Sequence, residues 1–222
     1  MQDVKVIEIK KSIFNANEID ADNLRKELKE KKVFLLNLMS SPGAGKTTTL
    51  IKLINNLKSD YRIAVMEADI DSDVDAVKIL EGTGVKAIQL HTGGMCHLDA
   101  EMTKQGLDNL SLDVDLVILE NVGNLVCPAE FDTGSCKNMM ILSVPEGEDK
   151  PLKYPLMFQV CDIVAINKID CIELFDFDIE KVKGYIRQRN EKAEIYPICA
   201  KDGRGIPELA DKIRKEIEEW RK

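Results

Sequence analysis

The stretch from Val33 to Leu57 constrains this chain more than any other. A continuous apolar run, VFLLNLM, stops at Ser40-Ser41-Pro42-Gly43-Ala44-Gly45-Lys46-Thr47 and gives way to the helical pattern TTLIKLINNL. An apolar run of strand length without polar alternation belongs to a sheet buried on both faces, which means parallel strands covered by helices. A glycine-bearing turn from such a strand into a helix aims backbone N–H groups and the positive end of the helix dipole at one point, the geometry that cradles phosphate. Gly43 and Gly45 permit the turn, and Ser41, Ala44 and Thr48 fall within the same loop. Lys46 is placed to reach β and γ phosphates, and Thr47 offers a hydroxyl to a bridging Mg²⁺. Ser40 stands where the usual pattern has its first glycine. The plainer reading, a glycine-rich turn that merely starts a helix, does not account for the lysine and threonine.

Six further runs of the same kind lie at 62–67, 86–90, 115–119, 139–144, 162–166 and 194–199, with helical patterns between most of them. Strands alternating with helices imply right-handed crossovers and an α/β fold, a doubly wound, mostly parallel sheet of about seven strands flanked by helices. With 222 residues and no linker, repeat or low-complexity tract, the chain reads as a single domain over 1–222. Residues 1–32 form an N-terminal extension, in which 17–32 (NEIDADNLRKELKEKK) is an exposed amphipathic helix leading into the first core strand. Residues 206–221 form a closing helix.

The formal charge of −8 argues against sequence-independent nucleic-acid binding, which needs a basic face. MQDVKVIEIK carries no apolar signal region and no run approaches the ~18 apolar residues of a membrane span, so a cytoplasmic location is expected. Six cysteines without a close-packed framework are expected to be reduced.

The run at 162–166 leads directly into Asn167-Lys168-Ile169-Asp170. The two carboxylate oxygens of Asp170 match the N1–H and exocyclic amine of guanine, a pair adenine lacks. A buried polar site rejects a ligand that leaves it unpaired by ~10⁴-fold or more. Lys168 is expected to lie over the purine and Asn167 to tie this loop to the phosphate loop. The alternative, a polar turn, loses ground because the tetrapeptide sits at a strand end downstream of the phosphate loop. One strand later, Ala200 and Lys201 in CAKDG occupy the place of a loop whose backbone donates to the guanine oxygen, and Cys199 reads as a small buried residue. Together the two motifs predict a P-loop GTPase binding GTP and GDP.

After RIAVME the chain runs ADIDSDVD, with four aspartates from Asp69 to Asp75. A calcium loop starting at Asp69 would need Gly and Glu where Val74 and Leu80 stand. Asp69 is therefore expected to contact Mg²⁺ or its waters and Asp75 to position the attacking water, with Asp73 capping the next helix. Strand DLVIL ends in Glu120-Asn121-Val122-Gly123. Glu120 is expected on the Mg²⁺ side and Gly123 near the γ phosphate, the alternative for Glu120 being an ion pair at a strand end.

Cys96 and His97 lie in TGGMCHLDA, and Cys127 lies in ENVGNLVCPAEFDTG. Two thiolates and an imidazole suit Ni²⁺ or Zn²⁺, although an adjacent Cys-His pair is commonly packing alone. These two segments, with PEGEDKPLKYP and NKID, resemble the hydrogenase nickel-incorporation GTPases, the HypB family, over about residues 30–210. The resemblance implies a metallochaperone that assists nickel delivery into [NiFe]-hydrogenase with a HypA-like zinc and nickel protein and the hydrogenase large-subunit precursor. It further implies a nucleotide-linked homodimer, with Cys96, His97 and Cys127 at a metal site near the subunit contact. Lys153 would reach the partner's nucleotide or, alternatively, is simply solvated. No Cys precedes residue 96 and there are two His, so the Cys-rich and His-rich N-terminal nickel segments of some members are not expected, and His91 reads as a strand-end residue. A urease-type nickel GTPase and a metal buffer with structural nucleotide are the competing functions.

Overall fold

The computed structural model describes residues 5–8, 14–70, 72–110 and 113–222. Its strands are β1 (Lys5–Glu8), β2 (Phe34–Ser40), β3 (Ile63–Asp69), β4 (Lys86–His91), β5 (Leu116–Glu120), β6 (Lys137–Ser143), β7 (Ile163–Asn167) and β8 (Glu194–Pro197). The helices are α1 (Phe14–Glu30), α2 (Lys46–Leu57), α3 (Val74–Thr83), α4 (Ala100–Asp108), α5 (Cys127–Glu130), α6 (Lys150–Lys153), α7 (Pro155–Val160), α8 (Ile179–Arg189) and α9 (Ile206–Arg221).

Every strand pair among the described residues is parallel, in the order β1-β4-β3-β5-β2-β6-β7-β8. The seven runs read from the sequence are all strands, and Lys5–Glu8 adds an eighth at the β4 edge. Four residues are too few for periodicity to separate a strand from a loop.

Strand β2 is buried along its whole length. Phe34, Leu36 and Leu38 enter one core with Leu50, Leu53 and Ile54 of α2 and Leu209 and Ile213 of α9. Val33 and Leu35 face the other way, against Leu24 and Leu28 of α1 and Met102 of α4. Taking each such side chain out of water contributes about 1.5–3 kcal/mol before the entropy of ordering is counted. The spacing Ile206, Leu209, Ala210, Ile213, Ile217 puts one apolar stripe of α9 on the sheet, and the predicted 206–221 span is observed.

Helix α1 begins and ends before its predicted 17–32 bounds. Lys32 has a left-handed φ of 55° and Val33 N–H closes onto Leu28 O at 2.9 Å, so the chain turns there into the sheet.

The topology inserts β5 between β2 and β3, which are consecutive in that half of the chain. The carboxyl ends of β2, β3, β5, β6 and β7, namely Ser40, Asp69, Glu120, Ser143 and Asn167, therefore open onto one edge of the sheet. Parallel α/β sheets hold their ligands at that edge. No helix among the described residues is long and apolar enough to cross a membrane.

Candidate functional site

The phosphate loop and the NKID loop are bonded to one another. Asn167 Nδ2 donates to Ala44 O at 2.9 Å, and its Oδ1 accepts from Ala200 N–H at 3.0 Å. Lys168, at φ 64°, donates from Nζ to Gly43 O at 2.7 Å. Gly45 has φ 98°, and a Cβ there would lie 2.5 Å from Asn167 Nδ2, so both conformation and space require glycine. A cavity of about 220 Å³ lies between these loops, walled by Thr48, Asn167, Lys168, Asp170, Ala200 and Lys201. Ala200 N–H, expected to face a base, is instead engaged by Asn167.

Ser40 differs from the usual glycine and has a role of its own. Its buried hydroxyl donates to Ser41 O at 2.7 Å and accepts from Lys46 Nζ at 3.3 Å. Ser41 Oγ is held by Glu146, which also accepts from Ser143 N–H and Oγ at 2.7 Å each. The PEGEDK segment thus braces the phosphate loop from outside the cleft.

A second cavity, of about 530 Å³, shares Gly45 and Thr48 with the first and is walled by Lys46, Thr47, Asp69, Asp75, Glu120 and Gly123. Glu67, from within the apolar run of β3, also lines it. Glu67 sits directly opposite Glu120 in the β3–β5 ladder, and Glu67, Asp75 and Glu120 bring carboxylate oxygens within 4.8 Å of one another. Glu67 is 4% exposed and Glu120 1%. Glu67 Oε2 and both oxygens of Glu120 have no hydrogen-bond partner. Burial, then the nearby Glu120 charge, pushes the Glu67 carboxyl up to about 8. Burial pushes Glu120 up to about 7 against the opposing pull of Lys46. A buried, all-oxygen donor set with unmet acceptors fits a hard dication such as Mg²⁺, which would restore both carboxylates to the charged form.

The aspartate run resolves into separate roles. Asp69 lines the cavity while its Oδ1 accepts from Ser72 N–H at 2.9 Å, which shapes the turn after β3. Asp75 joins the acid trio and pairs with Lys78 Nζ at 3.0 Å, another residue of the cavity wall. Asp73 takes the N-cap position of α3 without the expected side-chain capping bond. Asp71 lies outside the described residues.

Cys96, His97 and Cys127 converge, their ligand atoms within 4.8 Å of one another and Cys96 Sγ 3.9 Å from His97 Nδ1. His97 is 4% exposed and stacks on Phe131, ring centroids 3.6 Å apart at 13°. The neighbouring Cys127 thiol, then burial, raises the Cys96 thiol pKa. The Cys96–His97 turn hangs on Thr92, whose hydroxyl donates to Met95 O at 2.6 Å. Cys127 opens α5. Two sulfurs and an imidazole nitrogen in a half-buried pocket suit a borderline dication. His91 ends β4 outside this cluster.

The two sites are joined by one short segment. A Cβ on Gly123 would meet Pro42 Cγ at 3.2 Å and Lys46 Nζ at 3.4 Å, so this backbone lies directly against the phosphate loop. Its root is fixed by a row of side-chain amides, with buried Asn121 Nδ2 donating to buried Asn37 Oδ1 at 3.2 Å and Asn37 Nδ2 donating to Asn138 Oδ1 at 2.9 Å. Asn121 Oδ1 accepts from Val122 N–H at 2.9 Å. Lys153 stands apart, paired with Asp149 at 2.5 Å and outside the walls of both cavities.

Sequence reasoning missed Glu67, Glu146, Phe131 and the asparagine row. The available signal for Glu67 was an acid inside a run that otherwise reads as a doubly buried strand. The amide row shows itself only once β2, β5 and β6 are placed side by side.

The profile of the CobW/HypB/UreG nucleotide-binding domain matches residues 34–197. The hydrogenase maturation factor HypB of Azotobacter chroococcum mcd 1 is 44% identical over 205 residues, 92% of this chain and 67% of the relative. A probable HypB of Methanocaldococcus jannaschii is 38% identical over 217 residues, 97% of this chain and 98% of that one. The crystal structure of HypB from Helicobacter pylori in complex with nickel superposes with a TM-score of 0.86 at 38% identity, covering 91% of this chain and 95% of the other. The nucleotide-facing loops, the converging thiols and these likenesses agree: this chain belongs to the HypB family of hydrogenase maturation factors.

Proposed function

We propose that this protein is a GTP-hydrolysing metallochaperone, slow in intrinsic turnover, that carries Ni²⁺ or Zn²⁺ and assists nickel delivery to a hydrogenase. The observation that carries the reading is the four-residue step from Gly123, in the wall of the phosphate cavity, to Cys127 in the thiol cluster. A contact made or lost with the terminal phosphate would reach a ligand of the cargo metal through that segment.

In this reading Asp170 selects guanine, and Asn167 and Lys168 hold the base loop against the phosphate loop. Main-chain N–H groups of Gly43 to Thr48 grip the phosphates, and Lys46 balances their charge. Thr47 and Glu120 would hold Mg²⁺, Asp69 would stand on the same side, and Asp75 would orient the attacking water; the chemistry a bound Mg²⁺ would supply is neutralisation of phosphate charge. Gly123 offers its N–H to the γ phosphate and shifts when that group leaves. Cargo nickel is taken by Cys96, His97 and Cys127. The reading includes a nucleotide-linked homodimer, a HypA-like partner and a hydrogenase large-subunit precursor as recipient, all in the cytoplasm. Lys153, exposed on α6 and outside both cavities, would contact the nucleotide of a second copy.

The test pairs two measurements on purified protein. Multiple-turnover phosphate release should require GTP and not proceed with ATP. Nickel affinity should differ between the GDP state and a non-hydrolysable GTP analogue, and by linkage nickel should shift nucleotide affinity by the same factor. Equal nickel affinity in both states removes the switch, and absence of GTP turnover removes the enzyme.

A further inference from the structure

Resting on the cargo-site reading above, we propose that Asn17 of α1 is a positioning residue for the thiol–imidazole site, setting the distance between its two halves.

The halves come from strands that do not touch. Cys96 and His97 follow β4, Cys127 follows β5, and β3 lies between them in the sheet. No shared hydrogen-bond ladder fixes their separation. Asn17, 6% exposed, does so with one amide. Its Oδ1 accepts from Ala100 N–H at 2.8 Å, and its Nδ2 donates to Asp132 O at 3.0 Å. Ala100 opens α4 just after the Cys96–His97 turn, and its N–H is one of the first-turn donors that a helix leaves without an internal partner. Asp132 follows Phe131, the ring stacked on His97.

The rest of α1 reinforces the same contact. Arg25 grips both carboxylate oxygens of Asp132 and donates from Nε to Ser135 O at 2.9 Å. Leu24 presses so closely on Gly134 that a Cβ there would come within 2.8 Å of it. The helix therefore lies across both ligand-bearing segments, and the imidazole orientation follows from Asp132 through Phe131. Residues supporting metal ligands from outside typically change metal affinity 10–100-fold when removed. None of these α1 groups lines the nucleotide cavities. Cargo affinity is thus adjustable without altering the GTP site.

The experiment measures nickel affinity, GTP affinity and the thiolate-to-Co²⁺ charge-transfer band in parent, N17A, N17D and C96A. N17A is expected to weaken nickel by up to ~100-fold and to lower or shift the Co²⁺ band, with GTP affinity unchanged. N17D keeps an acceptor for Ala100 N–H and sets a carboxylate oxygen against Asp132 O in place of the donor, for a loss of about 10–100-fold. Parental nickel affinity and an unaltered band in N17A, even with a lowered Tm, overturn the proposal. If N17A fails to fold, N17D decides, and parental affinity there overturns it. Parental nickel affinity in C96A instead overturns the cargo-site reading itself, so the two failures are distinguishable.

Discussion

The two walls of the nucleotide cleft are built on opposite terms. On the base side the loops hold each other, with the Asn167 amide using both its ends and Lys168 returning to Gly43. On the acid side Glu67 and Glu120 face each other across neighbouring strands with three carboxylate oxygens unmet. One wall is formed before ligand arrives, and the other carries a charge deficit that only a cation or protons relieve. The lesson is that one wall is a matter of fixed geometry, whereas the other depends on what neutralises it.

The largest effect should come from the residue between the walls. Lys46→Ala should reduce GTP turnover by at least ~10²–10³-fold in a phosphate-release assay, because it removes a cation that faces both Ser40 and the acid side. Full activity in that variant would remove the phosphate-loop assignment. Next, Asp170→Ala should collapse discrimination between GTP and ATP, with competition binding reporting a loss of up to ~10⁴-fold in preference. Unchanged preference would place base recognition elsewhere.

Asn167→Ala tests whether the base wall is truly preformed. It leaves Ala44 O and Ala200 N–H without their partner, at a cost of about 1–3 kcal/mol, read as a drop in nucleotide affinity of roughly 10–100-fold. If affinity holds, the cross-bonding is incidental.

The acid wall gives a pH signature. The raised carboxyl of Glu67 (about 8) and that of Glu120 (about 7) bind protons in the folded state that the unfolded chain has released above the ordinary carboxylate range. Stability of the protein without nucleotide or divalent cation should therefore be greatest below about pH 4.5 as far as these groups are concerned, and fall as pH rises toward 8. Glu67→Gln should flatten that slope in thermal melts, and Mg²⁺ should do the same in the parent. A slope indifferent to both would mean the pair is not what titrates.

How much of this was readable in advance follows the same division. The phosphate loop and NKID are contiguous stretches whose function depends on local backbone shape, so spacing alone revealed them. The acid pair arises from register, since Glu67 and Glu120 meet because β5 is threaded between β2 and β3, and no local pattern encodes that insertion. Hence the sequence named Asp69, Asp75 and Glu120 but missed Glu67, which completes the converging trio with Asp75 and Glu120. The thiol–imidazole cluster was found through its family likeness, because Cys127 is remote in sequence from Cys96 and His97. The brace from α1 was invisible, for a charged amphipathic helix discloses which face is apolar but not which amide reaches across to Asp132.

The asparagine row beneath Gly123 has a mechanical consequence. With Asn121 anchored to Asn37 and Val122 pinned by its neighbour's amide, the stretch beyond has its fulcrum at Val122, a few residues from the sulfur it carries. In the proposed switch, a lever that short would convert loss of one phosphate into a displacement of about an ångström or two rather than a sweeping rearrangement. For a cargo metal that would be held by sulfur and nitrogen at about two ångströms, that travel would be enough to break a bond.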